Sequence, residues 1–145
     1  MFAIAPLRVR LFQPNDAARC ARLLQDGWTD ALPNRTQTID VDEFARLTNG
    51  ETILVATIGL SGVIGFAAFE PNDHFVHHLY VDRARRRRGA GAALLAEAVA
   101  QCGARVSLKC ALANLAALDF YRRLGWTWGE RGYDIDGAWV RLWSP

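Results

Sequence analysis

The sequence predicts an α/β fold: one mixed central sheet of about six to seven strands, flanked by about four helices. Three observations predict it. Short alternating apolar segments and longer helical-period segments interleave in the order β α α β β β α β α β β. A strand runs through a block of arginines into a glycine-bearing turn and then a helix, "VDRARRRRGAGAALLAEA" (81–98). The chain of 145 residues, 51% hydrophobic and 22% charged, has the size and composition of a single domain with a real core, 1–145.

Each element has a local reason. "LRVRLF" (7–12) alternates as a half-buried strand does. Pro14 and Asn15 open a helix that runs to about Gln25, with Gly27 as its stop. The stretch "GWTDALPNRTQT", with Trp28, Asp30 and Pro33, reads as a loop. Asp40 followed by Glu43 resembles a capping box for a short helix "VDEFARLT", ended by Asn49-Gly50. "ETILVATIGLSGVIGFAAFE" is two strands around a Gly59–Gly62 turn, and "HFVHHLYVD" is the fourth strand. "GAGAALLAEAVAQC" is a helix with Leu94, Leu95, Ala98, Val99 and Cys102 on one face, closed by Gly103. "RVSLKCA" is a strand, "NLAALDFYRRLG" a helix stopped at Gly125, and the last segment a pair of strands joined near 134–137.

Composition excludes several classes. No apolar run approaches the roughly 20 residues of a membrane span, so no membrane role is expected. The N-terminus "MFAIAPLRVRLF" lacks a basic n-region and reads as the approach to the first strand, not a signal peptide. Cys20, Cys102 and Cys110 are too scattered for a disulfide framework or a metal site, which fits a reducing cytoplasm and no metal. Five arginines crowd positions 83–88, yet the net charge is only +2. That balance argues against a nucleic-acid partner, which favours a domain that is basic as a whole.

A strand that enters a glycine-bearing turn and then a helix is an anion site in physical terms. The first helical turn leaves amide N–H groups unpaired, and the helix dipole adds positive charge there. Gly89 and Gly91 lack Cβ atoms, so phosphate oxygens can approach the backbone, and the arginines add charge-assisted contacts. No third glycine makes it a dinucleotide fingerprint, and no Lys-Ser or Lys-Thr follows to make it a P-loop.

Arg86-Arg87-Arg88-Gly89-Ala90-Gly91 resembles the [Gln/Arg]-x-x-Gly-x-[Gly/Ala] turn of the GNAT superfamily of acyl-CoA-dependent N-acyltransferases. "NLAALDFYRRLGW" (114–126) resembles that family's second mark, and the order of elements follows it along nearly the whole chain. The resemblance implies acetyl-CoA as cosubstrate, a sheet splayed between strands 4 and 5, and acetyl transfer to a primary amine within a ternary complex. It implies that the amides of Arg86, Arg87, Arg88, Gly89, Ala90, Gly91 and Ala92 hold the pyrophosphate. Backbone groups of Leu79, Tyr80 and Val81 would run beside the pantetheine arm and polarise the thioester carbonyl, and Asn114 would bond the pantetheine from the other side. Arg83 and Arg85 would be solvated or near the 3′-phosphate.

For the catalytic groups, the resemblance puts a general acid at Tyr121 and a base on the fourth strand. A phenol with a pKa near 10 suits protonation of a leaving thiolate. Histidine's ordinary pKa of about 6.5 suits taking a proton from an ammonium, and alternation sides His77 with Phe75, Leu79 and Val81 unless a bulge intervenes. His78 and a water chain are the alternatives. An amine acceptor favours a negative pocket: Asp30, Asp134 and Asp136 are its candidates, with Trp28 and Tyr133 as walls. Cys110 reads as core. The acceptor is a small-molecule or peptide amine. Two other readings stay open: a CoA-binding sensor or partner module with little catalysis, and a nucleic-acid-binding domain built on Arg83–Arg88. The edge of the last hairpin could pair with a second copy to make a homodimer.

Overall fold

The computed structural model describes residues 5–32 and 34–145. The first four residues, read as the approach to the first strand, and Pro33, read as loop, lie outside the described residues. The elements are β1 (Leu7–Leu11), α1 (Ala17–Ala31), α2 (Val41–Leu47), β2 (Thr52–Ile58), β3 (Val63–Glu70), β4 (Phe75–Val81), α3 (Ala90–Cys102), β5 (Ser107–Ala111), α4 (Leu115–Arg123), β6 (Thr127–Asp134) and β7 (Gly137–Trp143). This is the order expected from the sequence.

The strands form one seven-stranded sheet in the order β1-β2-β3-β4-β5-β7-β6. Neighbours are antiparallel except β4 and β5, which run parallel. That pair is barely a pair: only Phe75 and Ser107 are in register, with the Ser107 amide donating to the His74 carbonyl at 2.9 Å. Beyond this point β4 and β5 separate, and among the described residues the facing edge of β4 up to Val81 has no strand beside it. The splay expected between strands 4 and 5 is present.

Two apolar clusters hold the layers together. On one face, Leu94, Leu95 and Ala98 of α3 pack with Tyr121 of α4 on Leu54, Ala67, Val76, Leu108, Val140 and Leu142. On the other, Cys20, Leu24 and Trp28 of α1 and Phe44 of α2 pack on Val55, Phe66 and Ala68. Among the described residues the second cluster reaches β2, β3 and β4 but not β5, β7 or β6, whose same face these residues leave uncovered.

Caps and turns follow the sequence, with two corrections. Asp40 accepts from the Glu43 amide at 2.8 Å, but Glu43 turns away to Arg46, so the capping box is only half made. The larger correction is in α1, which does not stop at Gly27 but continues to Ala31. Gly27 is there for another reason. A Cβ at this position would lie 2.0 Å from the Tyr80 ring, so glycine lets β4 press an aromatic ring against the helix. Trp28 and Asp30 are therefore helical, not loop, residues.

Candidate active site

The turn after β4 is built to present amides. Asp82 accepts from the Ala84 amide at 3.0 Å and from the Arg19 guanidinium at 2.7 Å, which fixes the end of β4 against α1. A 3-10 turn over Arg83–Arg85 follows, and then two left-handed residues, Arg87 (φ 67°) and Gly89 (φ 81°). For arginine that conformation is sparsely populated and persists only where the surroundings impose it. The first bond inside α3 runs from the Ala93 amide to the Gly89 carbonyl at 2.9 Å. The amides of Ala90, Gly91 and Ala92 therefore have no acceptor within the helix. Successive free amides in such a turn form a concave anion site, reinforced by the positive end of α3.

The two glycines differ in purpose. A Cβ on Gly89 would meet nothing within 4 Å, so the space over the amides is open. A Cβ on Gly91 would come 3.0 Å from the Phe120 ring, so this glycine serves the close packing of α3 on α4. Gly91 thus has a packing role beside the phosphate approach its missing Cβ allows. The open space, free amides and adjacent arginines fit a pyrophosphate-sized anion.

A cleft of about 440 Å³ runs from this turn between α1 and the end of β4, lined by Leu23, Gly27, Asp30, Tyr80, Arg83 and Arg86 among others. Arg83 is not simply solvated: it pairs with Asp30 and holds that carboxyl below its ordinary range. Arg85, Arg86, Arg87 and Arg88 have no carboxylate within 4 Å among the described residues, so their charge is uncommitted.

Along β4, Leu79 and Val81 turn into the cluster under α3, and Tyr80 turns toward α1. Burial pushes the Tyr80 phenol up to about 12. These side chains are occupied by packing, which leaves the strand's backbone edge for any ligand in the splay. Tyr121 is 8% exposed, with its ring between Phe120 (5.1 Å) and Trp126 (5.6 Å). Burial raises its phenol well above the ordinary value, with Cys110 and Tyr80 as neighbours that add to the effect. Asn114 caps α4 by accepting from the Ala117 amide at 3.2 Å, which leaves its carboxamide N–H groups free to donate to a ligand.

The histidines are separated by a bulge. Ala68 pairs with His78 but Phe69 pairs with Val76, so His77 is the extra residue. It parts from Leu79 and Val81, against simple alternation, and stands exposed with Nε2 2.9 Å from Glu70 Oε1. His78 faces the α2 side near the Leu47 backbone, and burial lowers it to about 4, with His77 adding to the effect. A nitrogen with so little affinity for protons is a poor base. Beside this pair lies a group the sequence reading missed. Glu51 precedes Thr52, the partner of Phe69, and so sits opposite Glu70. Burial, then Glu70, raises it to about 7, and its Oε1 is buried without a hydrogen-bond partner among the described residues. The available signal was a carboxylate at each open end of one hairpin, "ETILV" and "GFAAFE".

The acidic candidates for the acceptor pocket are engaged within the chain. Asp30 is tied to Arg83, and Asp136 accepts a two-pronged contact from Arg35 at 3.1 and 2.8 Å. Asp134 accepts from the Asp136 amide at 2.8 Å within the hairpin turn. Trp28 is buried at 6% exposure beneath Arg35, and Tyr133 stands 81% exposed on the outermost strand, so neither is a wall of the cleft. Instead the Arg35–Asp136 pair bridges the α1–α2 connection to the β6–β7 turn. Cys110 is buried, and burial raises its thiol to about 11, as core packing predicts.

The sequence profile of the Acetyltransferase (GNAT) family matches residues 17–126. The N-alpha-acetyltransferase RimI of Mycobacterium tuberculosis is 29% identical over 143 residues, an overlap that covers 92% of this chain and 88% of that protein. Among solved structures, a GCN5-related N-acetyltransferase from Rhodopseudomonas palustris superposes with a TM-score of 0.76 at 20% identity, covering 99% of this chain and 98% of its own. A phosphinothricin acetyltransferase from Sinorhizobium meliloti, solved with acetyl-CoA, gives 0.76 at 20% identity over 96% and 88%. These two likenesses establish the fold. Because the profile match takes in both the arginine-glycine turn and the helix that Asn114 caps, this chain belongs to the GNAT acetyltransferase family.

Proposed function

We propose that the protein transfers an acetyl group from acetyl-CoA to a primary amine, and that the amine is the α-amine at the end of a peptide. The observation that carries the first part is the turn itself: free amides at Ala90–Ala92, open space over Gly89 and uncommitted arginines, beside a β4 edge with no strand partner. Acetyl-CoA was solved with the S. meliloti enzyme of the same fold. The α-amine is supported by the similarity to the N-alpha-acetyltransferase RimI.

Acetyl-CoA supplies the thioester. The turn's amides and Arg86 to Arg88 hold the phosphates, and the β4 backbone from Leu79 to Val81 aligns the arm and polarises the carbonyl. Asn114 reaches the arm with its carboxamide N–H. His77, oriented by Glu70, takes the proton from the ammonium, directly or through water, so that the nitrogen lone pair attacks the carbonyl carbon. As the new C–N bond forms and the C–S bond breaks, Tyr121 gives its proton to the sulfur, and the second proton shed by the nitrogen passes through water to restore the Tyr121 hydroxyl. Burial raises that phenol and makes it a weaker donor, so the transfer requires the thiolate to be held directly against its hydroxyl.

Thiol release from acetyl-CoA tests the reading, with a hexapeptide bearing a free N-terminal alanine beside the same peptide N-terminally blocked and carrying one lysine. Turnover of the free N-terminus only is expected. Binding of acetyl-CoA should be lost in Gly89→Trp, whose side chain fills the open space. Acetyl-CoA binding without turnover of any amine would support the sensor reading instead.

A further inference from the structure

The uncovered face of β5 and β7 carries a prepared cation. Leu108, Cys110, Val140 and Leu142 point into the core under α3 and α4, so alternation puts Ser107, Lys109 and Ala111 of β5, with Trp139, Arg141 and Trp143 of β7, on the open side. Arg141 is engaged: it donates to Glu130 at 2.6 Å and to Ser107 Oγ at 2.9 Å. Lys109 has no carboxylate within 4 Å among the described residues, and its ammonium lies 4.2 Å over the Trp139 ring. The ring itself is held flat across β6. A Cβ on Gly132 would lie 2.1 Å from the indole, so the absent side chain is what lets Trp139 lie there. A cation over a fixed aromatic face is held in place before any ligand arrives.

Lys109 and Trp139 line a cavity of about 150 Å³ with Leu32, Ala111, Asp134 and Asp136. Of its two carboxylates, Asp136 is ion-paired with Arg35, while Asp134 accepts from the turn amide and keeps its charge, more than 4 Å from the Lys109 ammonium. The cavity has room for about five water volumes, which suits a carboxyl group on a one- or two-carbon stem. Its position matters too. Phe75 and Ser107 mark the apex of the splay, and His77 and Lys109 each stand two residues beyond it, on β4 and β5.

The geometry points to a carboxylate subsite: Lys109 binds a carboxylate carried by the acceptor near its amine, so that acidic acceptors are preferred to neutral and basic ones. This rests on the proposed deprotonation of the amine by His77. The cation also disfavours a second positive charge beside the base, which selects against lysine-rich acceptors.

Three hexapeptides with N-terminal alanine, differing only in a second residue of Glu, Gln or Lys, test the subsite. Calorimetric binding to the CoA-loaded protein should rank Glu about tenfold tighter than Gln, with Lys weakest. Lys109→Ala should bring the three peptides together, and Lys109→Glu should reverse their order. An acetyl-CoA thermal shift checks that both variants fold, and Lys109 is exposed. kcat/KM from thiol release should follow the same ranking. Equal binding of the three peptides to the unmodified protein, or a Glu preference that survives Lys109→Glu, overturns the subsite whatever the turnover. The expected ranking in binding with no thiol release upholds the subsite and overturns the catalytic reading alone.

Discussion

At the residue scale, the pair His77–Glu70 and its neighbour Glu51 carry the sharpest expectations. His77 is solvent-accessible, bulged out of the ladder and oriented by a carboxylate at 2.9 Å, the arrangement of a positioned base. His77→Gln should lower kcat about a hundredfold while leaving acetyl-CoA affinity intact, and Glu70→Gln should lower it less and change the pH profile. A His77→Gln enzyme with full kcat would return the role of base to water. Glu51 makes a prediction about stability. Its proton affinity is raised in the fold, to about 7 from an ordinary 4.5, so the folded chain binds the proton more tightly than the unfolded one. Stability then falls as pH rises through that window, because ionising Glu51 means charging a group with no partner. Glu51→Gln removes the charge. It should raise the Tm by a few degrees at pH 8 and little at pH 5, on the order of 1 kcal/mol once solvent screening of this half-exposed group is allowed for. An equal shift at both pH values would mean that the charge is not the cause.

At the scale of elements, α1 shows how a close contact overrides a local signal. Glycine inside a helix weakens it by about 1 kcal/mol relative to alanine. By propensity alone, Gly27→Ala should stabilise. The Tyr80 ring decides otherwise, because a methyl 2.0 Å from Cδ1 has to push the ring or the helix aside. Overpacking of that kind costs about 1–3 kcal/mol, so the variant should melt below the parent, and a Tm above it would refute the contact. α3 works the other way. Its N-terminus is specified by short-range chemistry: glycine in the left-handed region, then small residues, then Leu94 and Leu95 facing the core. That is why the turn could be read directly, whereas the end of α1 could not. The signal at Gly27 looked like a stop because the ring that needs the gap is 53 positions away along the chain.

At the scale of the whole molecule, the sheet is two blocks joined at one edge. β1 to β4 form one antiparallel block and β5 to β7 another, linked within the sheet by the single Phe75–Ser107 pairing and beneath it by the cluster under α3 and α4. A ligand in the splay would stand in for the missing ladder. Acetyl-CoA at 100 times its dissociation constant should add about 2.7 kcal/mol, a Tm rise of several degrees, and slow amide hydrogen exchange most along β4 and the first turn of α3. Exchange protection confined to the outer strands would place the ligand elsewhere.

The sequence by itself determined the elements, their order and the anion-binding turn, because strand alternation, helix periodicity, caps and glycine conformations act over a few residues. The profile match to the family rests on the same local patterns. Tertiary structure decided what those residues face. It turned Asp30 and Asp136 from free acceptor-pocket acids into partners of Arg83 and Arg35, inserted the bulge that sets His77 apart, brought Glu51 beside Glu70, and set the Lys109 ammonium over the Trp139 ring. Each of these depends on which side chains a fold brings within a few ångströms across long stretches of chain. Charge pairing and burial are set by that proximity, and no local pattern encodes it.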